Sequence, residues 1–288
     1  FTSYRNSSDI ETFANQDGDT DNGLGGFQLD QARINLKGSV DDYRYKLSFD
    51  ISSGSATLKD AYATFNLGDT VTSTMGVYKT PFLRSGLISS NRQLFHSDRT
   101  STGGAWAGRN AGLNFGGDFD TLHWDIGLQN DISHTGDFGG TAVPTGDNGD
   151  AEGEDLFIYA RVAADLMGEG IAMQEGAYGA SDDTALNAGL SYGNEGGHKD
   201  GSVIAVDAAF TQGPFYAGFE ILDYDDGSDA GGGATSYGMG WVPLPGVDSG
   251  PGAREVADTT PWTVTLSYMI TPDEWEVAFC YADSDNDD

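Results

Sequence analysis

Four bases stand at short, same-parity spacing in this chain: Arg33 and Lys37, then Arg44 and Lys46. Side chains alternate faces along an extended backbone, so parity puts each pair on one side of its strand. A hairpin turn at GSVDD (38–42) would bring Lys37 close to Arg44 and Asn35 close to Lys46. Like charges opposed across a sheet are destabilising. Two uses remain for such a group: pairing with the inward acids Asp30, Asp50 and Asp60, or attraction of a passing anion. A second basic group lies in VYKTPFLRSGLISSNRQLFHSDRT (77–100), where Lys79, Arg84, Arg92, Arg99 and His96 meet one acid, Asp98. Arg161, flanked by Ala160 and Val162, has the parity of a polar face as well. These nine Lys and Arg residues are the candidate anion path.

A different chemistry is suggested by QDGDTDNG (16–23), which spaces Asp17, Asp19 and Asp21 at alternate positions. Three hard oxygen ligands so placed suit Ca²⁺ in a loop. As an EF-hand the stretch fails, because Asn22 holds the position of the invariant Gly and Gln28 that of the bidentate Glu. DYDDGSD (223–229) and DSDNDD (283–288) repeat the composition without better spacing. No other cofactor is expected. Catalysis has little to stand on: His123 and Asp125 are two apart, Ser133 and His134 follow, and no G-x-S-x-G nucleophile turn is present.

The elements that position these residues are strands. Tyr43, Tyr45, Leu47, Phe49 and Ile51 alternate with Arg44, Lys46, Ser48 and Asp50. The pattern recurs at Leu122–Leu128, Leu156–Val162, Leu186–Tyr192, Ile204–Phe210, Phe215–Ile221, Trp262–Ile270 and Trp275–Tyr281, giving about twelve or thirteen segments. No apolar run approaches the ~20 residues of a membrane helix, a test blind to barrels whose strands need only ~9–11 residues. Short connections (38–42, 271–274) alternate with long ones (6–26, 79–105, 131–154, 223–259) rich in Gly and acid. Such a meander, with Tyr43, Phe65, Trp262, Trp275 and Tyr281 near strand ends, fits a transmembrane antiparallel β-barrel better than a soluble sandwich.

Composition agrees with a folded β-protein. Gly is 42 of 288 residues, Pro only 8, and aromatics reach 11%, too rich for a disordered acidic tail. The lone Cys280 excludes an intrachain disulfide framework. A net charge of −31 disfavours nucleic acid as a partner.

The ordered segments FQLDQARINLKG (27–38), DDYRYKLSFD (41–50), KDAYATF (59–65) and GVYKTPFLRSGLISSNRQLFHSDR (76–99) resemble the phosphate-selective porin O and P family, as does WEVAFCYADSD (275–285). The resemblance implies a single all-β domain over 1–288, an outer-membrane barrel of sixteen strands in a homotrimer. Residues 79–105 would fold inward as a constriction loop. Outer-membrane lipid, lipopolysaccharide and small solutes or anions are the implied partners, and the chain is expected to be incomplete at both ends.

Charge is strongly partitioned: residues 1–109 hold 11 of the 14 Lys and Arg with 12 of the 45 acids, and the remaining 179 residues hold 3 bases and 33 acids. Three bases are too few for a full phosphate ladder, so a passive channel with at most an anion preference is expected. The alternative is a secreted or surface acidic β-rich protein that binds calcium.

Overall fold

A computed structural model of the protein describes residues 2–5, 26–29, 31–52, 54–95, 108–130, 156–196, 202–225 and 260–283. Strands β1 (Thr2–Arg5) and β2 (Gly26–Leu29) form an antiparallel pair. The following strands are β3 (Arg33–Val40), β4 (Tyr43–Asp50), β5 (Thr57–Asn66), β6 (Val71–Lys79), β7 (Arg109–Phe119) and β8 (Leu122–Asn130). Then come β9 (Leu156–Met167), β10 (Thr184–Gly196), β11 (Ser202–Gln212), β12 (Phe215–Asp225), β13 (Trp262–Thr271) and β14 (Trp275–Asp283). Strands β3 to β14 make one sheet of twelve in sequence order, antiparallel throughout, with β3 and β14 at its edges.

Local sequence explains why these residues form strands and which way they face. Along β9, Phe157, Tyr159 and Arg161 are buried, whereas the intervening Leu156, Ile158 and Val162 are exposed. The same inversion runs through β10 to β13: Asn187, Ser191, Asp207, Glu220, Thr263, Thr265 and Ser267 are buried. Leu190, Tyr192, Ile204, Tyr268, Phe279 and Tyr281 stand exposed on the other side. A sheet folded for water hides its apolar face; this one displays it, as a surface bathed in hydrocarbon would.

Tight turns close one end of the sheet. Asp41, Asp120 and Asp273 sit at φ 48°, 55° and 58° in the turns of β3–β4, β7–β8 and β13–β14. Aspartate tolerates this left-handed region because its short side chain bonds locally. The first of these turns corrects the expected hairpin register. Only Asp41 and Asp42 lie between the last pair, Val40 and Tyr43, so Lys37 faces Lys46 and Ser39 faces Arg44. Because the slip is two residues, every side chain keeps its face.

A substitution on the exposed side tests this orientation. In a bilayer, Leu190→Arg places a charge on the lipid face in mid-strand and is expected to cost about 2–4 kcal/mol. Equilibrium unfolding in guanidinium from lipid vesicles reads that loss.

Candidate functional site

The polar face of the sheet carries a folded segment. After β6 the chain runs through Thr80–Leu83 into one helical turn, α1 (Arg84–Leu87), and then a 3₁₀ turn at Ser90–Arg92. Pro81 and the extended Leu83 set the helix start, and Lys79 closes its end by donating to the carbonyls of Gly86 (2.6 Å) and Ile88 (2.9 Å). An ammonium group suits these carbonyls, the negative end of a helix. Phe82, Leu83 and Ile88 are fully buried, and the first two pack among Phe157, Tyr159, Val203, Ala205 and Leu222 of β9, β11 and β12.

Polar groups of the far strands fix this segment. Arg161 of β9 reaches Asp207 of β11 through both guanidinium nitrogens, at 2.5 and 2.9 Å. Gly189 of β10 lies between them, and a Cβ there would strike the guanidinium. The same Arg161 nitrogen and the Ser191 hydroxyl both donate to the carbonyl of Phe82, each at 2.5 Å. Glu220 of β12 accepts from the Ser85 amide (2.7 Å) and hydroxyl (2.5 Å). At the start of the segment, Thr80 donates to Gln129 of β8 at 2.6 Å. Below it, Tyr78, Tyr159, Asn114 and Asp125 form a continuous hydrogen-bonded chain over β6 to β9.

Strands β3 to β8 face the other side of the segment across an open cavity of about 590 Å³. Arg33, Lys46, Lys79 and Arg109 line it, with Asp60 and Asp125 as the acids. Asp60 bridges Lys46 (2.8 Å) and Arg109 (2.7 Å), one carboxylate between two cations. Arg33 pairs with Asp50 at 3.4 Å. The Lys46 ammonium also lies 6.0 Å from the centre of the Tyr62 ring. The wall is thus a compensated but base-rich surface.

The bases singled out from the sequence divide into groups. Arg33, Lys46 and Lys79 line the cavity. Lys37 and Arg44 are exposed, within four residues of the Asp41–Asp42 turn in sequence. Arg92 is exposed on the folded segment. Arg84 and Arg161 are each 4% exposed, which withdraws them from a path for solutes. Arg99, Asp17, Asp19, Asp21 and Asp30 lie outside the described residues, as do Ser133 and His134 and the part of 79–105 beyond Phe95 that precedes Gly108. Among the described residues no group of three or more His, Cys, Asp and Glu side chains could hold a metal ion. His123 bonds Asp118 and Asp165, not Asp125.

Sequence reading missed Arg109, Asp207 and Glu220, although the period-two pattern gave the last two an inward parity. It also missed the connection 168–183, whose Gly-rich run carries Ile171, Met173, Ala177 and Tyr178. Apolar side chains in a connection were the available signal.

The Arg161–Asp207 pair gives a test of how the segment is held. Asp207→Asn leaves a buried guanidinium uncompensated and is expected to cost about 3–5 kcal/mol. The double substitution Arg161→Met with Asp207→Leu should lose less, since no lone charge remains. Heat-modifiable gel mobility gives both midpoints.

Comparison with known proteins bears on this architecture. A family model described as phosphate-selective porin O and P matches residues 2–225. No curated protein matches the chain. Among solved structures, OpdQ of Pseudomonas aeruginosa is similar at 12% identity and a TM-score of 0.35, over 93% of this chain and 73% of that one. OmpT of Vibrio cholerae, an outer membrane protein, is similar at 12% identity and a TM-score of 0.41, over 90% and 81%. A trimer form of the same protein gives 12%, 0.37, and 92% and 84%. These overlaps are loose, and the assignment rests on the sequence match over more than three quarters of the chain. The chain belongs to the phosphate-selective porin O and P family and is a porin of the bacterial outer membrane.

Proposed function

We propose that the protein is a passive, water-filled channel for small hydrophilic solutes with a preference for anions. The observation that carries this reading is the cavity wall, where four bases, Arg33, Lys46, Lys79 and Arg109, face two acids, Asp60 and Asp125. A solute passing between this wall and the inward-folded segment meets fixed positive charge within a Debye length, about 8 Å at physiological salt. Phosphate is one small anion that such a wall attracts, although Arg84 and Arg161, buried at 4% exposure, supply no further rungs. Transport needs no catalytic step and no cofactor.

In this reading the sheet closes into a barrel of sixteen strands, the segment within 79–105 is the constriction loop, and the barrel works as a homotrimer in contact with lipid and lipopolysaccharide. The exposed Leu190, Ile204, Phe279 and Tyr281 favour that setting over a soluble calcium-binding surface protein.

Selectivity is read from the reversal potential of single channels in a salt gradient. Arg109→Ala leaves Asp60 with one fewer cation and should move selectivity toward cations, while Asp60→Asn should move it toward anions. Each change is expected to alter the anion-to-cation permeability ratio by about twofold or more at low salt, where screening is weakest. Equal reversal potentials for the parent and both variants would remove the role of this wall.

A further inference from the structure

The connection between β9 and β10, residues 168–183, leaves the sheet at the end closed by the Asp120–Thr121 and Gly213–Pro214 turns. The segment after β6 starts from the opposite end, because β6 and β7 are joined there by 80–108. The two nevertheless touch. Arg84 donates through one guanidinium nitrogen to the carbonyls of Ala172 (2.5 Å) and Ile171 (3.4 Å). The amide of Glu175 donates to the carbonyl of Arg92 at 2.9 Å, and the Glu175 carboxylate accepts from the amide of Leu94 at 3.0 Å.

The connection has its own fixings on the sheet. Glu276 of β14 accepts from the amide of Ala177 (2.6 Å) and from the hydroxyl of Ser267 (2.6 Å). Asp273 accepts from the amide of Gly179 at 3.2 Å. Ala177 packs with Ala209, Tyr216 and Met269, and Ile171 rests against that cluster. A small pocket of about 20 Å³ lies between the segment, the connection and strands β11 to β13, and one of about 590 Å³ lies on the side of β3 to β8.

We propose that the connection 168–183 is a second constriction element, latched to the first by Arg84 and Glu175. Together they seal the β9–β14 side of the lumen and confine permeation to the wall of β3 to β8. Arg84 and Glu175 are positioning residues: each acts on the bore by holding backbone, and neither needs to touch a solute. The chemistry favours such a latch. The guanidinium of Arg84 is itself buried and must keep hydrogen-bond partners, and its fork offers several donors in fixed geometry, which it spends on the adjacent carbonyls of Ile171 and Ala172.

This inference rests on the channel reading, and its test separates the two. The full chain is reconstituted in planar bilayers as Arg84→Ala, as Arg84→Lys and as Glu175→Gln, the last keeping the side chain's size. In parallel, Ala209→Cys, a 1% exposed position packed against Ala177 of the connection, is made in a Cys280→Ser background with and without Arg84→Ala. It is exposed to a membrane-impermeant charged thiol reagent. Release of the latch should raise single-channel conductance by about 1.5-fold, as water enters the space held by the connection while the first segment stays on Arg161 and Glu220. Arg84→Lys should fall between Arg84→Ala and the parent. Ala209→Cys should be protected with Arg84 present and labelled once it is removed. Unchanged conductance in Arg84→Ala, or continued protection of the cysteine there, overturns the latch. A parent protein without conductance steps overturns the channel reading instead, and labelling still decides whether the side is sealed.

Discussion

A single buried ion pair, Arg161 with Asp207, is the interaction on which the interior depends. Two charges removed from water gain little by themselves, because desolvation offsets most of their attraction. The pair is stabilised by what surrounds it. Ser191 shares the guanidinium, the Phe82 carbonyl takes up a remaining donor, and Gly189 gives the side chain room to cross β10. Ordering the backbone of a long connection costs about 1–2 kcal/mol per residue, so the segment after β6 requires many attachments. Arg161 supplies the first, Glu220 the next, and the burial of Phe82, Leu83 and Ile88 holds what lies between.

From that anchoring comes an asymmetric interior. The face of β9 to β13 is occupied by apolar packing and neutralised charge, and the face of β3 to β8 keeps open space and bases in excess. On the filled side Asp207 is spent on Arg161 and Glu220 on the segment, whereas Asp60 compensates only part of the charge of Lys46 and Arg109.

Much of the fold was legible from strand parity. The alternation along Leu156–Val162 assigned Arg161 to the polar face, and the structure buries it there. The same reading set the bases of the first hairpin against the inward acids Asp30, Asp50 and Asp60 without assigning partners; the structure pairs Arg33 with Asp50 and Lys46 with Asp60. Turn lengths were less legible: GSVDD looked like a five-residue connection, but Asp41 in the left-handed region closes the hairpin with two. The connection 168–183 was hidden for another reason. Its Ile171 and Ala177 are buried against strands far from it in sequence, and no local period marks that contact.

The sequence by itself determined which side of each strand meets hydrocarbon, the order of the hairpins and the place where the chain leaves β6, because these depend on neighbouring residues and a two-residue repeat. Only the tertiary structure decided which bases line the cavity. Arg84, Arg109 and Arg161 are alike in type. Yet Arg109 faces Asp60 beside open space, Arg161 spans a glycine to Asp207, and Arg84 reaches the carbonyls of a connection entering from the other end. A long side chain takes its partner from whichever strands and connections lie beside it in space, and that adjacency exists only once the sheet has formed around its contents.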